Sequence, residues 1–139
     1  MNAQEIAQRC ADLMWAEDKA SKGLGMKVES VAPGRAVLSM TVREDMVNGH
    51  DICHGGFIFT LADSAFAFAC NTYNQRVVAQ HCAVTFLRPG KRGMILLAQA
   101  QEKQRGGRSG IYDVLVTNDQ GDAIAEFRGH SRVVTGTFF

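Results

Sequence analysis

A single carboxylate interrupts the most apolar stretch of the sequence. Asp63 lies among leucine, alanine and phenylalanine between Phe57 and Asn71, a segment without lysine or arginine. Burying an ionised carboxylate costs several kcal/mol unless partners compensate, and desolvation raises the pKa of the carboxyl toward that of a useful general base. Asp63 is therefore either an acid/base group or a structural carboxylate bonded to the backbone or to Thr60 and Ser64. The residues alone leave both readings open.

A histidine and two glycines directly precede this apolar stretch. The first turn of a helix presents free backbone N–H groups at its positive end, and glycines let a ligand approach the backbone closely. His54, Gly55 and Gly56 thus meet the requirement for holding a developing oxyanion, although a plain helix entry is the alternative. Asn48 and His54 could donate to a carbonyl, but Asn48 is followed by Gly49, a common turn dipeptide.

Other chemistry has weaker support in the sequence. His50, Cys53 and His54 could suggest a metal, but only His81 and Cys82 remain to complete a ligand set, and their spacing matches no closed zinc pattern. The sequence has no GxGxxG, GxxxxGK[ST] or GxSxG motif. We therefore expect neither a metal nor a cofactor.

Basic residues gather in the second half of the chain, near the turns between strands. Individually they are typical of a solvated rim, and together they could meet the phosphates of a nucleotide-bearing substrate. The formal net charge of +1 argues against nucleic acid as a partner. These residues are Arg88, Lys91, Arg92, Lys103, Arg105 and Arg108.

Hydrophobic periodicity predicts an α+β fold in one domain that spans residues 1–139. One long helix is apolar on every side and should be buried against an antiparallel sheet of five or six strands. Pro89-Gly90 and two later Gly-containing segments should form turns. The predicted helices cover 3–21 and 57–71, and the predicted strands cover 26–32, 35–43, 77–87, 93–103, 109–118 and 122–134.

The cysteines and the N-terminus suggest a reducing compartment. Four cysteines occur without a CxxC pair, and the N-terminal segment has no apolar signal region. The longest apolar run is too short to cross a membrane. We expect a cytoplasmic protein without a membrane partner.

Three motifs together resemble the hotdog-fold thioesterases, most closely the group that acts in phenylacetic acid degradation. They are NGHDICHGGFIFTLADSAFAFACN at 48–71, FLRPG at 86–90 and FRGHSR at 127–132. The resemblance implies a sheet wrapped around the long helix, and dimers or tetramers with active sites at the dimer interface. It places Asp63 at the catalytic carboxylate, Gly55 at the N–H that polarises the thioester carbonyl, Asn48 near the reacting carbon, and His54 as a support for the loop and thioester.

The resemblance also implies the reaction, hydrolysis of an acyl-CoA, with phenylacetyl- and hydroxyphenylacetyl-CoA as the suggested substrates. Arg88 and Arg128, within the second and third motifs, are candidates for binding CoA. Phe57, Phe66 and Phe68 could shape an aromatic-tolerant pocket, although their periodicity indicates core.

Two alternatives and one mechanistic question stay open. The chain could be a non-catalytic acyl-CoA sensor, or an enoyl-thioester hydratase with His54 and Asp63 as its acid/base pair. Some relatives place a serine or threonine on the strand after the helix to orient water. Here 78–81 reads Val-Ala-Gln-His, without a hydroxyl. How water is held, or whether Asp63 attacks directly, is therefore undecided.

Overall fold

Three helices and six strands account for most of the chain. The computed structural model describes all residues from Met1 to Phe139. The helices are α1 (Ala3–Glu17), α2 (Lys19–Gly23) and α3 (Gly55–Cys70). The strands are β1 (Lys27–Ala32), β2 (Arg35–Thr41), β3 (Val77–Phe86), β4 (Ile95–Gly106), β5 (Ser109–Thr117) and β6 (Ala123–Val133).

The strands form one antiparallel sheet in the order β1-β2-β4-β5-β6-β3, and α3 packs against its inner face. The predicted α+β hotdog architecture, an antiparallel sheet of five or six strands around one long helix, is confirmed, and the sheet has six strands. The strands β4, β5 and β6 follow one another as hairpins, as expected. None of the helices combines the length and the apolar character needed to cross a membrane.

Two connections differ from the sequence prediction. The N-terminal helix breaks at Asp18, whose carboxylate accepts hydrogen bonds from the Ser21 N–H and hydroxyl and starts α2. Pro89 and Gly90, predicted as a turn, do not form one: the chain turns at Arg92 and Gly93, where the Met94 N–H donates to the Lys91 carbonyl at 3.0 Å. This connection does not join neighbouring strands, because β3 lies at the sheet edge beside β6 while β4 lies in the middle. Long-range pairing, which local patterns do not encode, decides this arrangement.

Small residues let α3 approach the sheet closely. Ala62, Ala65 and Ala69 of α3 are completely buried, and so is Phe66, which packs at 5.6 Å between ring centroids from Tyr112 of β5. Phe68 is also core, as its periodicity indicated, so neither Phe66 nor Phe68 is free to line a pocket. On β6, Gly129 faces the Phe66 ring with no side chain between them.

Replacing Gly129 by alanine should destabilise the fold. The new methyl group would lie 2.7 Å from the completely buried ring of Phe66, and overpacking of this kind costs about 1–3 kcal/mol. Urea unfolding should show a lower midpoint. Gly106→Ala is the matched control, because its methyl group would meet nothing closer than 3.8 Å. Equal midpoints for the two variants would mean that the Phe66 ring can move aside without a loss of stability.

Candidate active site

A tightly anchored loop positions the start of α3. The Cys53 N–H donates to the carbonyl of Gly90 at 2.7 Å, and the His54 N–H donates to the carbonyl of Met46 at 2.8 Å. These two bonds fix the loop against the backbone at Met46 and at Gly90. The loop therefore holds Asn48 and the first turn of α3 in a set orientation.

One backbone donor at the start of α3 is left free. His54 is the N-cap: its ring Nδ1 accepts from the Gly56 N–H at 2.9 Å, and its carbonyl accepts from the Phe57 N–H at 3.0 Å. The Gly55 N–H has no acceptor in the protein. A free N–H at the positive end of a helix is suited to stabilise an oxygen that becomes negatively charged.

The free N–H borders an open cavity of about 530 Å³. Asn48, Gly55 and Arg88 all line this cavity, so the structure brings three of the predicted site residues together. The Asn48 side-chain oxygen accepts from the backbone N–H groups of His50 and Ile52, at 2.9 and 3.4 Å, which leaves its NH₂ free to donate. Asn48 therefore shapes the turn, and its role as a donor to a substrate carbonyl stays a prediction.

Phe86 covers the first residue of α3 and was not singled out in the sequence. A Cβ added to Gly55 would lie 2.8 Å from the Phe86 ring, so the ring packs directly on the helix backbone. Phe86 is 50% exposed at the end of β3 and lines the cavity beside Leu87. Only the register of β3 against α3, which the sequence does not give, reveals this contact.

The partners of Asp63 differ from those of a structural carboxylate. Its carboxylate contacts one hydrogen-bonding side chain, the thiol of Cys82 on β3, with 3.9 Å between Sγ and Oδ1. Burial raises the pKa of the Asp63 carboxyl, and the contact with Cys82 opposes that rise. No salt bridge reaches this carboxylate.

Thr60 and Ser64, the partners considered for a structural role, bond elsewhere. The Thr60 hydroxyl donates to the carbonyl of Gly56 at 2.8 Å, and the Ser64 hydroxyl pairs with that of Ser21 at 3.0 Å. The partly buried Asp63 carboxylate is thus kept without the compensation expected of a structural group. Such a carboxylate is suited to proton transfer or nucleophilic attack.

Asp63 and Gly55 of one chain do not meet. Asp63 lies eight positions after Gly55 in the helix, which corresponds to about 12 Å along the axis of α3. Strand β3 gives the same separation: Cys82 contacts Asp63, and Phe86 contacts Gly55. Phe86 lies four positions after Cys82 in the strand, which corresponds to about 13 Å. A thioester carbon within reach of the Gly55 N–H therefore lies out of reach of Asp63 in the same chain.

Arg128 lies outside the cavity. Its guanidinium forms a two-pronged ion pair with Asp113, at 2.6 and 2.9 Å, and this pair lowers the pKa of the Asp113 carboxyl. Arg88, in contrast, lines the cavity and donates from Nη1 to the carbonyl of Ala123 at 2.9 Å. No group of three or more histidine, cysteine or acidic side chains comes together as a metal site.

Known proteins resemble this chain in sequence and in fold. A model of the thioesterase superfamily matches residues 50–125. The acyl-coenzyme A thioesterase PaaI of Escherichia coli K12 is 45% identical over 127 residues, which cover 91% of each chain. The structure of Escherichia coli PaaI, from the phenylacetic acid degradation operon, superposes with a TM-score of 0.96 over 98% of this chain and 99% of that chain.

A second relative was solved with a ligand. A Streptococcus mutans protein bound to acetyl-CoA superposes with a TM-score of 0.77 and 26% identity, covering 81% of this chain and 90% of that one. The family model matches more than half of the chain, and the Escherichia coli enzyme aligns with most of it. The chain belongs to the thioesterase superfamily.

Proposed function

We propose that the protein hydrolyses acyl-CoA thioesters to the free acid and CoA in phenylacetate degradation, with phenylacetyl- and hydroxyphenylacetyl-CoA as substrates. The observation that carries the proposal is the free Gly55 N–H, which borders a cavity together with the Asn48 amide. The Escherichia coli relative is an acyl-coenzyme A thioesterase from the phenylacetic acid degradation operon, which supports the substrate class. The aromatic ring of Phe86 beside Gly55 supports an aromatic acyl group.

The proposed mechanism follows from charge development on the thioester oxygen. The carbonyl oxygen accepts from the Gly55 N–H, and the Asn48 NH₂ supplies a second donor as negative charge builds on that oxygen. Asp63 removes a proton from water as the water oxygen attacks the carbonyl carbon, or attacks that carbon itself to give an anhydride that water then opens. The C–S bond breaks, CoA leaves as a thiolate, and the acid is released.

A second copy of the chain completes the site in this proposal. Gly55 and Asp63 lie about 12 Å apart along the axis of α3 in one chain, so in this proposal Asp63 comes from a partner. The edge strand β3 offers the contact: it has an unpaired edge along ten residues, with Val78 49% and Phe86 50% exposed. Long exposed apolar edges are templates for pairing with another chain.

The direction of that pairing favours a shared site. Two β3 strands related by a twofold axis run antiparallel. The Phe86 end of one strand, beside Gly55, then lies toward the Cys82 region of the other strand, beside Asp63. A twofold axis near Val84, midway between Cys82 and Phe86, would bring the Gly55 region of each chain beside the Asp63 region of the other. Each dimer would then have two sites. Dimers could associate further into tetramers, which sedimentation would distinguish.

The remaining assignments are less central to the chemistry. We assign Arg88, at the cavity wall, to the phosphates of CoA. Arg128 stays a candidate, with its guanidinium already paired to Asp113. We place the protein in the cytoplasm, which its four free cysteines support, and we treat residues 1–139 as one thioesterase domain.

Release of free thiol from a panel of acyl-CoAs tests the proposal. We expect rapid release from phenylacetyl- and hydroxyphenylacetyl-CoA, followed with a disulfide dye, and slower release from benzoyl and short or medium aliphatic chains. Faster hydrolysis of aliphatic chains would retain the thioesterase and reject the aromatic preference. If no thioester is cleaved, tight binding would favour the sensor, and loss of enoyl absorbance without thiol release would favour the hydratase.

A further inference from the structure

We propose that Cys82 is a positioning residue for Asp63: its thiol, presented from β3, holds the carboxylate in the orientation that the reaction uses. The inference rests on the proposed function, because it assigns a role relative to the catalytic carboxylate. It starts from the contact of 3.9 Å between Cys82 Sγ and Asp63 Oδ1, the one side-chain hydrogen bond that this carboxylate makes.

A β-bulge determines that this residue, and not its neighbour, faces α3. Between Ala79 and His81, strand β3 advances by two residues while β6 advances by one. The extra residue switches the inward-facing positions from odd to even numbers, because successive side chains point to opposite faces. Cys82 therefore points toward α3, while His81 lies exposed on the outer face beside His130.

Close packing on the neighbouring strand brings the helix to this point. Cys82 lies directly opposite Gly129 of β6, and the Phe66 ring packs against the bare backbone of Gly129. Phe66 follows Asp63 by three residues, so both side chains lie on the same face of α3. The missing side chain at position 129 thus lets α3 approach the β3–β6 pair and places the carboxylate over the thiol.

Cys82 bonds differently from the other cysteines near α3. Cys53 and Cys70 are buried, and their thiols donate to the backbone carbonyls of His54 and Ala67. Cys82 is partly exposed and its hydrogen bond goes to a carboxylate. Burial and the neighbouring Asp63 charge raise the pKa of the Cys82 thiol, so it stays protonated and able to donate.

Few other titratable groups face Asp63. Cys70, on α3 itself, has a pKa raised to about 12 by burial and therefore stays neutral. The Tyr112 phenol of β5 donates to Glu102 of β4 at 3.1 Å. The inward residues of β2 and the rest of β4 are mainly apolar, and β6 presents Gly129 and its neighbours. The Cys82 thiol is thus the donor that favours the ionised carboxylate against the effect of burial.

The test compares Cys82→Ala with Cys82→Ser in the full-length enzyme. Alanine removes the donor, so the pKa of Asp63 should rise and the acid limb of the kcat/KM profile should move to higher pH. We expect kcat to fall about two- to tenfold, the range for one lost hydrogen bond, with little change in KM. Serine supplies a hydroxyl donor and should restore both kcat and the position of the limb.

Two results would overturn the inference. One is a Cys82→Ala profile that superposes on the wild type while Asp63→Asn is inactive; the other is an equal defect in the serine and alanine variants, which would indicate packing alone. A nearly normal Asp63→Asn would instead remove Asp63 from the mechanism, and no thiol release by the wild type would reject the proposed function itself. Infrared spectra give a readout without turnover. The S–H band of Cys82 is identified as the band that Cys82→Ser lacks, and in Asp63→Ala it should shift to the frequency of a free thiol. A band that does not shift in Asp63→Ala would also contradict the contact.

Discussion

Replacing Asp63 by asparagine is expected to lower kcat/KM for acyl-CoA about 10²- to 10⁴-fold, the contribution of a positioned general base. The amide keeps the shape of the carboxylate but can neither accept the proton of water nor attack the thioester carbon. Thiol release measures the loss. Asp12→Asn is the matched control, because Asp12 lies at an exposed position of α1, and this variant should retain wild-type activity. A nearly normal Asp63→Asn enzyme would remove Asp63 from the mechanism.

The pH dependence of the wild-type activity should also reflect the ionisation of Asp63. Asp63 must be ionised to act, and burial raises the pKa of its carboxyl. Activity should therefore rise with pH through a midpoint above the ordinary aspartate value of about 3.9. This limb should be absent from the residual activity of Asp63→Asn. A midpoint at or below the ordinary value would contradict the desolvated position of the carboxylate.

Stability separates loss of chemistry from loss of fold. Because burial raises the pKa of Asp63 above its value in the unfolded chain, the native state binds the proton more tightly. Ionisation therefore lowers stability as pH rises from the unfolded pKa through the folded one. Above that window, Asp63→Asn should unfold at the same temperature as wild type or higher. An inactive variant with a clearly lower Tm would mean that Asp63 serves the structure.

Local sequence patterns indicate some of the candidate site residues. Asp63 was visible because one carboxylate interrupts an apolar helical segment, and Gly55 because glycines at a helix start expose the backbone. Both features arise within one element. The alternation in β2, with Ala36, Leu38 and Met40 buried, was likewise readable, because the period of side chains along a strand is fixed.

Contacts between distant elements were not readable in this way. The sequence points to residues 78–81 as the place for a water-orienting hydroxyl, because no sequence pattern indicates the bulge that changes which residues of β3 face the helix. The bulge after Ala79 makes Cys82 the residue beside Asp63, and the pairing of β3 with β6 places Phe86 over Gly55. Register and strand order depend on the whole sheet, so they become visible only in three dimensions.

Removing the Gly55 N–H should reduce turnover about 10²- to 10³-fold, the effect of losing one oxyanion donor. Gly55→Pro does this with little change to the backbone, since proline is favoured at the first helical position and His54 has the φ of −58° and ψ of 132° suited to a residue before proline. Gly55→Ala is the matched control, because it places a Cβ against Phe86 but keeps the N–H. Equal losses in both variants would assign the effect to crowding at Phe86.

Mixing two inactive variants then tests whether the site is shared between chains. In a mixed dimer of Asp63→Asn and Gly55→Pro, one site combines the Gly55 of the first chain with the Asp63 of the second, and the other site has lost both. If half of the dimers are mixed, about a quarter of wild-type activity should return. Subunits are exchanged by co-refolding and thiol release is measured before and after. If each site lay within one chain, no combination would restore it, and the 12 Å between Gly55 and Asp63 along α3 would have to be bridged in another way.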